Sequence, residues 1–173
     1  MSGLLNSVSF SVMQASKYGA VYAMLVFLLL LSLVNIPVLQ SGEIRQGFFL
    51  IGLYFWTTYR PNLLPYPVVF LLGLGMDLIS GGLIGLHAFC FMVLAIIVRG
   101  QRRFLLGQSW QMVWAGFFLA VALTQTFQAI AYAIPSSQLP HLKHLTANIV
   151  LAGLLYPLFH PIFMAYNRYL SES

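Results

Sequence analysis

Six apolar runs, separated by short polar breaks, organise the chain: Tyr18–Leu39, Gly47–Tyr59, Leu63–Leu78, Leu83–Val98, Gln111–Ile134 and Leu145–Tyr166. A helix crosses a bilayer with about 20 apolar residues at about 1.5 Å each. The first, fifth and sixth runs meet that length. The second is short; it reaches across if its helix starts near Glu43 or if Arg60 snorkels toward the headgroups. Arg60-Pro61-Asn62 ends this run, because proline disfavours helix in the residue before it and suits the first turn of the next helix. Pro65 and Pro67 then fall in the early turns of the third helix. Ser80-Gly81-Gly82 predicts a tight turn, in which glycine supplies the backbone freedom. Gln40–Gln46, the basic stretch Arg99–Trp110 and Pro135–His144 read as loops. Trp110 and Trp114 stand where an interfacial aromatic belt would lie. Pro157 and Pro161 lack the N–H of a helix interior, so they predict a kink and freed carbonyls near Gly153 and Pro157.

Composition turns six apolar helices into a membrane protein. The 173 residues are 60% hydrophobic and only 6% charged, whereas a soluble domain carries roughly a quarter charged residues. The expected fold is an all-α integral membrane protein, a six-transmembrane-helix bundle over residues 18–166. A polar or interfacial segment, residues 1–17, precedes it, and a polar tail, residues 167–173, follows. The first run is too long for a signal-peptide core and no small-residue cleavage site follows it. The net charge of +5 is spread over the breaks, which is no nucleic-acid footprint but does report topology. With six spans, Lys17, Arg60, Arg99, Arg102, Arg103 and Arg168 fall on the side of the termini, and Arg45 and Lys143 fall opposite. That bias places both termini in the cytoplasm.

Candidate chemistry is sparse. Asp77, Glu43 and Glu172 are the chain's three acids, and Asp77 alone lies in an apolar run. It stands about 21 Å from Leu63 along a helix, near the outer rim of the bilayer. A carboxylate there still needs a partner. His87, Lys143, His141, His144 and Arg45 fall on the same side; Arg60 lies at the opposite end of the helix. Asn35, Thr124, Gln125, Gln128 and Asn148 occupy similar depths and, with Asp77, Ser80 and His87, outline a polar core or shallow cavity in the outer half. These groups serve either as hydrogen-bonding glue between helices or as a contact surface. Gly73, Asp77, Ser80 and Gly81 share a helical face, and Gly85 continues the small-residue face, which favours close helix packing. No lysine-serine or lysine-threonine pair follows the glycines, so they form no phosphate loop. Cys90 is the lone cysteine and reads as a buried apolar side chain. No second acid pairs with Asp77, no serine has a base and an orienting acid, and no Cys/His spacing suits a metal. The residues point to no catalysis, cofactor or metal.

The stretch Arg60-Pro61-Asn62, an apolar helix, then Gly73-x-x-x-Asp77-Leu78-Ile79-Ser80-Gly81 and Leu83-Ile84-Gly85-Leu86 resembles the rod shape-determining protein family MreD. These motifs cover about a quarter of the chain; the rest agrees in hydropathy. The resemblance implies a fold similar to the substrate-binding components of energy-coupling-factor transporters. It implies a multi-pass protein of the bacterial cytoplasmic membrane without catalysis of its own. Its implied role is a scaffold of the elongation (Rod) complex, supporting rod shape and lateral peptidoglycan synthesis. The implied direct partner is MreC; MreB, a RodA-type glycosyltransferase and an elongation penicillin-binding transpeptidase belong to the same complex. Arg60, Pro61, Asp77, Gly81 and Gly85 are the motif residues carried over, with Ser80 and His87 beside them as contact candidates. The alternative of the same fold class is a substrate-binding subunit of a small-solute transporter. Short outer loops poor in aromatic residues weigh against it.

Overall fold

The computed structural model describes residues 19–32, 45–81, 83–136 and 142–171. Asn35, Gly82, His141 and residues 1–18 lie outside that set. Among the described residues the chain is helical, without strand. The elements are α1 (Gly19–Leu31), α2 (Arg45–Tyr59), a 3-10 turn (Pro61–Leu63), α3 (Tyr66–Ser80), α4 (Leu86–Leu106), α5 (Trp110–Ser136) and α6 (Leu142–Ser171). α5 and α6 each contain a stretch long and apolar enough to cross a membrane, Trp110–Ile134 and Leu145–Leu170; α1 and α3 are shorter apolar helices.

α2 is the axis of the bundle. Every residue from Phe49 to Thr58 is buried, and the helix packs against α4, α5 and α6. α1 covers a further side, where Gly52 admits Leu25 and Leu28. A helix apolar on all faces belongs inside, so this short run is a core element rather than a lipid-facing one. Its large side chains lock it in place. Tyr54, Phe117 and Tyr156 form a three-ring cluster with centroids 5.3, 4.5 and 5.9 Å apart. Offset and edge contacts of this kind add to the burial of large apolar surfaces. Tyr54 also donates its hydroxyl to the carbonyl of Val113 at 3.0 Å.

Three boundaries differ from the sequence reading. α3 begins at Tyr66, not Leu63. Pro65 keeps Leu64 out of helical geometry (φ −121°, ψ 67°), and a 3-10 turn intervenes before α3. α4 begins at Leu86 and runs to Leu106, so the supposed basic loop is mostly helix. Arginine and glutamine are good helix formers, and the isolated Gly100 costs too little to stop the helix. α6 runs from Leu142 to Ser171, longer at both ends than its apolar run, and continues through Pro157 and Pro161. The carbonyl that Pro157 leaves without an N–H, that of Gly153, accepts the indole Nε1–H of Trp114 at 2.7 Å. Trp114 is thus half-buried between helices, while Trp110 is exposed.

The polar groups sort to two ends. The α3–α4 turn and the starts of α2 and α6 share one end. The α2–α3 break, the α4–α5 turn and the last turn of α6 share the other. Arg60, Arg99, Arg102, Arg103 and Arg168 all lie at this second end, where the Tyr22 hydroxyl near the start of α1 donates to the Leu63 carbonyl at 2.7 Å.

Candidate functional site: the turn between α3 and α4

α3 and α4 touch backbone to backbone. A Cβ on Gly73 would stand 2.4 Å from the Ala88 Cα, so only glycine permits this crossing. One turn beyond Gly73, α3 brings Asp77 to the start of α4. α3 then ends in a left-handed Gly81 (φ 66°), whose N–H bonds to the Asp77 carbonyl at 3.2 Å. This is the common glycine ending of a helix. Ser80 is exposed and turns its hydroxyl back onto the Met76 carbonyl at 2.8 Å. Gly85, with φ 95°, precedes the first residue of α4. It opens the helix rather than extending a small-residue face along it.

Gly85 has no side chain with which to cap α4. Asp77 supplies the cap from the neighbouring helix. Its Oδ2 accepts the N–H groups of Gly85 at 2.9 Å and Ala88 at 3.2 Å. Its Oδ1 accepts the His87 N–H at 2.9 Å and lies 2.7 Å from His87 Nδ1. A carboxylate here accepts, so Nδ1–H donates. Unpaired N–H groups of a helix start carry partial positive charge and favour an anion. Asp77 and His87 are each 1% exposed, yet the carboxylate has four donors around it. Of the partners considered for Asp77 from sequence, His87 is the one brought onto it; His141 and the side chains of Arg45, Lys143 and His144 lie outside the described set. The acid that looked costly in lipid is thus held by backbone donors, a partner class that sequence spacing does not display.

The remaining motif residues work at the opposite end. Arg60 donates Nε to Asn167 Oδ1 at 2.9 Å and reaches the Asn167 carbonyl at 3.5 Å, tying the α2–α3 break to the last turns of α6. The Pro61 carbonyl accepts the Leu64 N–H at 3.2 Å and an Arg99 Nη2–H at 3.3 Å. Arg99 also donates to the Leu64 carbonyl and lies 4.0 Å over the Tyr66 ring. Arg102 donates to the carbonyls of Thr58 at 2.8 Å and Tyr59 at 3.3 Å. Arg102 therefore closes the end of α2 and Arg99 the turn that follows it, roles the sequence reading missed by treating them as loop charges. The signal was present: a helix cut by proline leaves bare carbonyls, and two arginines three residues apart share a helical face. Arg103 is exposed.

The outer polar residues are buried inside the bundle. Thr124 returns its hydroxyl to the Ala120 carbonyl at 2.8 Å. Gln125, Gln128 and Asn148 are all buried, and Gln128 lies against Cys90. Burial withdraws all four from the surface. The open space nearby is an apolar groove between α4 and α5 of about 510 Å³. Among the described residues no cluster of three or more His, Cys, Asp or Glu side chains could hold a metal.

The sequence pattern of the family described as rod shape-determining protein MreD matches residues 14–166. Searches of curated proteins and of solved structures return no match. The match runs from before α1 into the last turns of α6, with Arg60 and the Asp77 cap inside it and Asn167 one residue beyond its end, and the chain belongs to the MreD family, membrane proteins that determine rod shape.

Proposed function

We infer that this protein is a non-enzymatic scaffold of the cell-elongation complex in the bacterial cytoplasmic membrane, with MreC as its direct partner. The observation that carries this reading is the family match over residues 14–166. The other complex members implied by the resemblance are MreB, the RodA-type glycosyltransferase and the elongation penicillin-binding transpeptidase. All six helices span in this reading, both termini are cytoplasmic, and the α3–α4 turn faces outward. The gathering of Arg60, Arg99, Arg102, Arg103 and Arg168 at the opposite end supports that orientation, because arginine and lysine favour the cytoplasmic side.

The motif has two mechanical jobs in this reading. Asp77, Gly81 and Gly85 shape the outer turn. Arg60 and Pro61 shape the inner break and hold the last turns of α6. A scaffold needs a turn of fixed shape to present to a partner, and a buried carboxylate with four donors provides it. The apolar residues carried on that turn, Leu83 and Ile84, are exposed.

The test is co-purification with MreC of the wild type, Asp77→Asn and Asp77→Ala. Asparagine keeps one acceptor oxygen; alanine keeps none and strands three backbone N–H groups. Membrane insertion is expected in all three. MreC recovery should fall in the order wild type, Asp77→Asn, Asp77→Ala, and rod shape should be lost in a host carrying only Asp77→Ala. Normal rods at normal expression would return Asp77 to a purely structural place.

A further inference from the structure

α4 carries its charges where its apolar run stops. Val98 ends that run, and the helix continues to Leu106. Ile96, Arg99, Gly100 and Arg103 are spaced three and four apart, so they share one face of the helix. Ile96, Gly100 and Arg103 are exposed, and Arg99 is half-buried. The face changes character along its length. Ile96, 53% exposed, belongs to its apolar side. Gly100 leaves bare backbone, where a Cβ would meet nothing within 4 Å. The two arginines flank that bare patch.

The charge on this face is unbalanced. Arg99 is held in place by the Pro61 and Leu64 carbonyls and the Tyr66 ring, none of which carries a negative charge. Arg103, one turn on, has no hydrogen bond or ion pair among the described residues. Like charges four apart on a helix repel. Arg60 and Arg102, at the same end, also bond neutral groups: Asn167 and the Thr58 and Tyr59 carbonyls. Asp77, the one acid among the described residues, is at the far end, taken up by His87 and three backbone N–H groups. What this face lacks is a negative charge beside Arg99 and Arg103.

We propose that the Ile96–Arg103 face of α4 binds the phosphate of an anionic phospholipid, seated over Gly100 between the Arg99 and Arg103 guanidiniums. Depth selects a lipid over a soluble anion. Gly100 is two residues, about 3 Å, past the last apolar residue of the run, so an anion there sits at the edge of the hydrocarbon. Ile96 lies one turn toward the hydrocarbon on the same face, and chains attached to the phosphate run against it. An acidic peptide in water gains nothing from that side. Arginine suits the phosphate, because its planar fork pairs with two oxygens at once. A zwitterionic lipid brings its own cation beside the two arginines, so the face selects a net negative headgroup. The inference rests on α4 crossing the bilayer, as the proposed function has it, and involves no protein partner, so MreC co-purification and lipid binding succeed or fail separately.

The full-length protein, purified in detergent and stripped of lipid, is titrated with phosphatidylglycerol and with phosphatidylcholine of the same chains. Binding is read by native mass spectrometry. Two arginines should favour phosphatidylglycerol roughly 10- to 30-fold, less as salt is raised. Arg103→Gln should cut that preference about 5-fold, and Arg103→Lys, which keeps the charge, should restore most of it. Gly100→Leu covers the bare patch with both arginines in place and should also weaken phosphatidylglycerol binding. Both positions are exposed, so these variants should keep the wild-type unfolding midpoint. Equal binding of the two lipids by the wild type overturns the proposal. An undiminished preference in Arg103→Gln or in Gly100→Leu overturns the site. Inorganic phosphate that displaces the lipid at equal concentration makes the ligand a free phosphate and overturns the lipid. A polyglutamate peptide held by the wild type and lost in Arg103→Gln, without any lipid preference, overturns it in favour of an acidic protein segment.

Discussion

The bond between Trp114 and the Gly153 carbonyl gives the sharpest test of how α5 and α6 are joined. Trp114→Phe keeps an aromatic ring and removes the donor. Pro157 has no N–H, so the Gly153 carbonyl then has no donor at all. Hydrogen bonds between membrane helices average about 0.6 kcal/mol and reach about 1.7. An orphaned group in a dry site costs about 1–3 kcal/mol. The bond is short at 2.7 Å and Trp114 is half-buried, so a loss of about 1.5 kcal/mol is expected. Part of any Trp→Phe loss is packing, and a double-mutant cycle removes it. In a Pro157→Ala background the substituted residue brings a backbone N–H, which is free to bond the Gly153 carbonyl within the helix. There, Trp114→Phe should cost about 1 kcal/mol less than in the wild type. The assay is reversible denaturant unfolding in mixed micelles for all four proteins. The reasoning is refuted if Trp114→Phe costs the same, within about 0.3 kcal/mol, in both backgrounds.

Gly73→Ala should separate α3 from α4, because the new methyl meets backbone that cannot rotate away; a loss of at least about 2 kcal/mol is expected in the same unfolding assay. Gly75→Ala, on the same helix with open space around it, is the control and should be neutral within about 0.5 kcal/mol. Gly85→Ala forces a side chain onto φ 95° and should cost about 1–3 kcal/mol, although its Cβ would touch nothing. Arg102→Ala should bare the Thr58 and Tyr59 carbonyls and lower stability by about 1–3 kcal/mol, whereas Arg103→Ala, at an exposed position, should leave it unchanged.

Much of the bundle could be read from hydropathy, and the reason is physical. Each apolar run had to be a helix, because a chain in lipid must satisfy its own backbone. Five of the six arginines sorted to one end, Arg45 at the start of α2 being the sixth, since the breaks that carry them alternate between the two ends. The burial of α2 was hidden. In a soluble chain, a helix apolar on every face announces itself as core. Here lipid-facing helices are equally apolar, so Gly47–Tyr59 looked like its neighbours. The extent of α4 was hidden by charge: Arg99, Arg102 and Arg103 end the apolar run, not the helical hydrogen bonding. His87 was visible as a partner for Asp77. The three backbone donors beside it were not, since a cap supplied by another helix depends on tertiary placement. The freed Gly153 carbonyl followed from Pro157, but its donor, Trp114, lies 39 residues away.

The arginine closure of α2 has a temporal side. Thr58 offers its carbonyl to a residue made 44 positions later. At roughly 5–20 residues per second on the ribosome, that carbonyl waits on the order of 2–9 s for Arg102 to be synthesised. During biogenesis the helix destined for the centre of the bundle is therefore the one whose end stays unfinished, and the nascent chain cannot complete its axis until α4 has emerged.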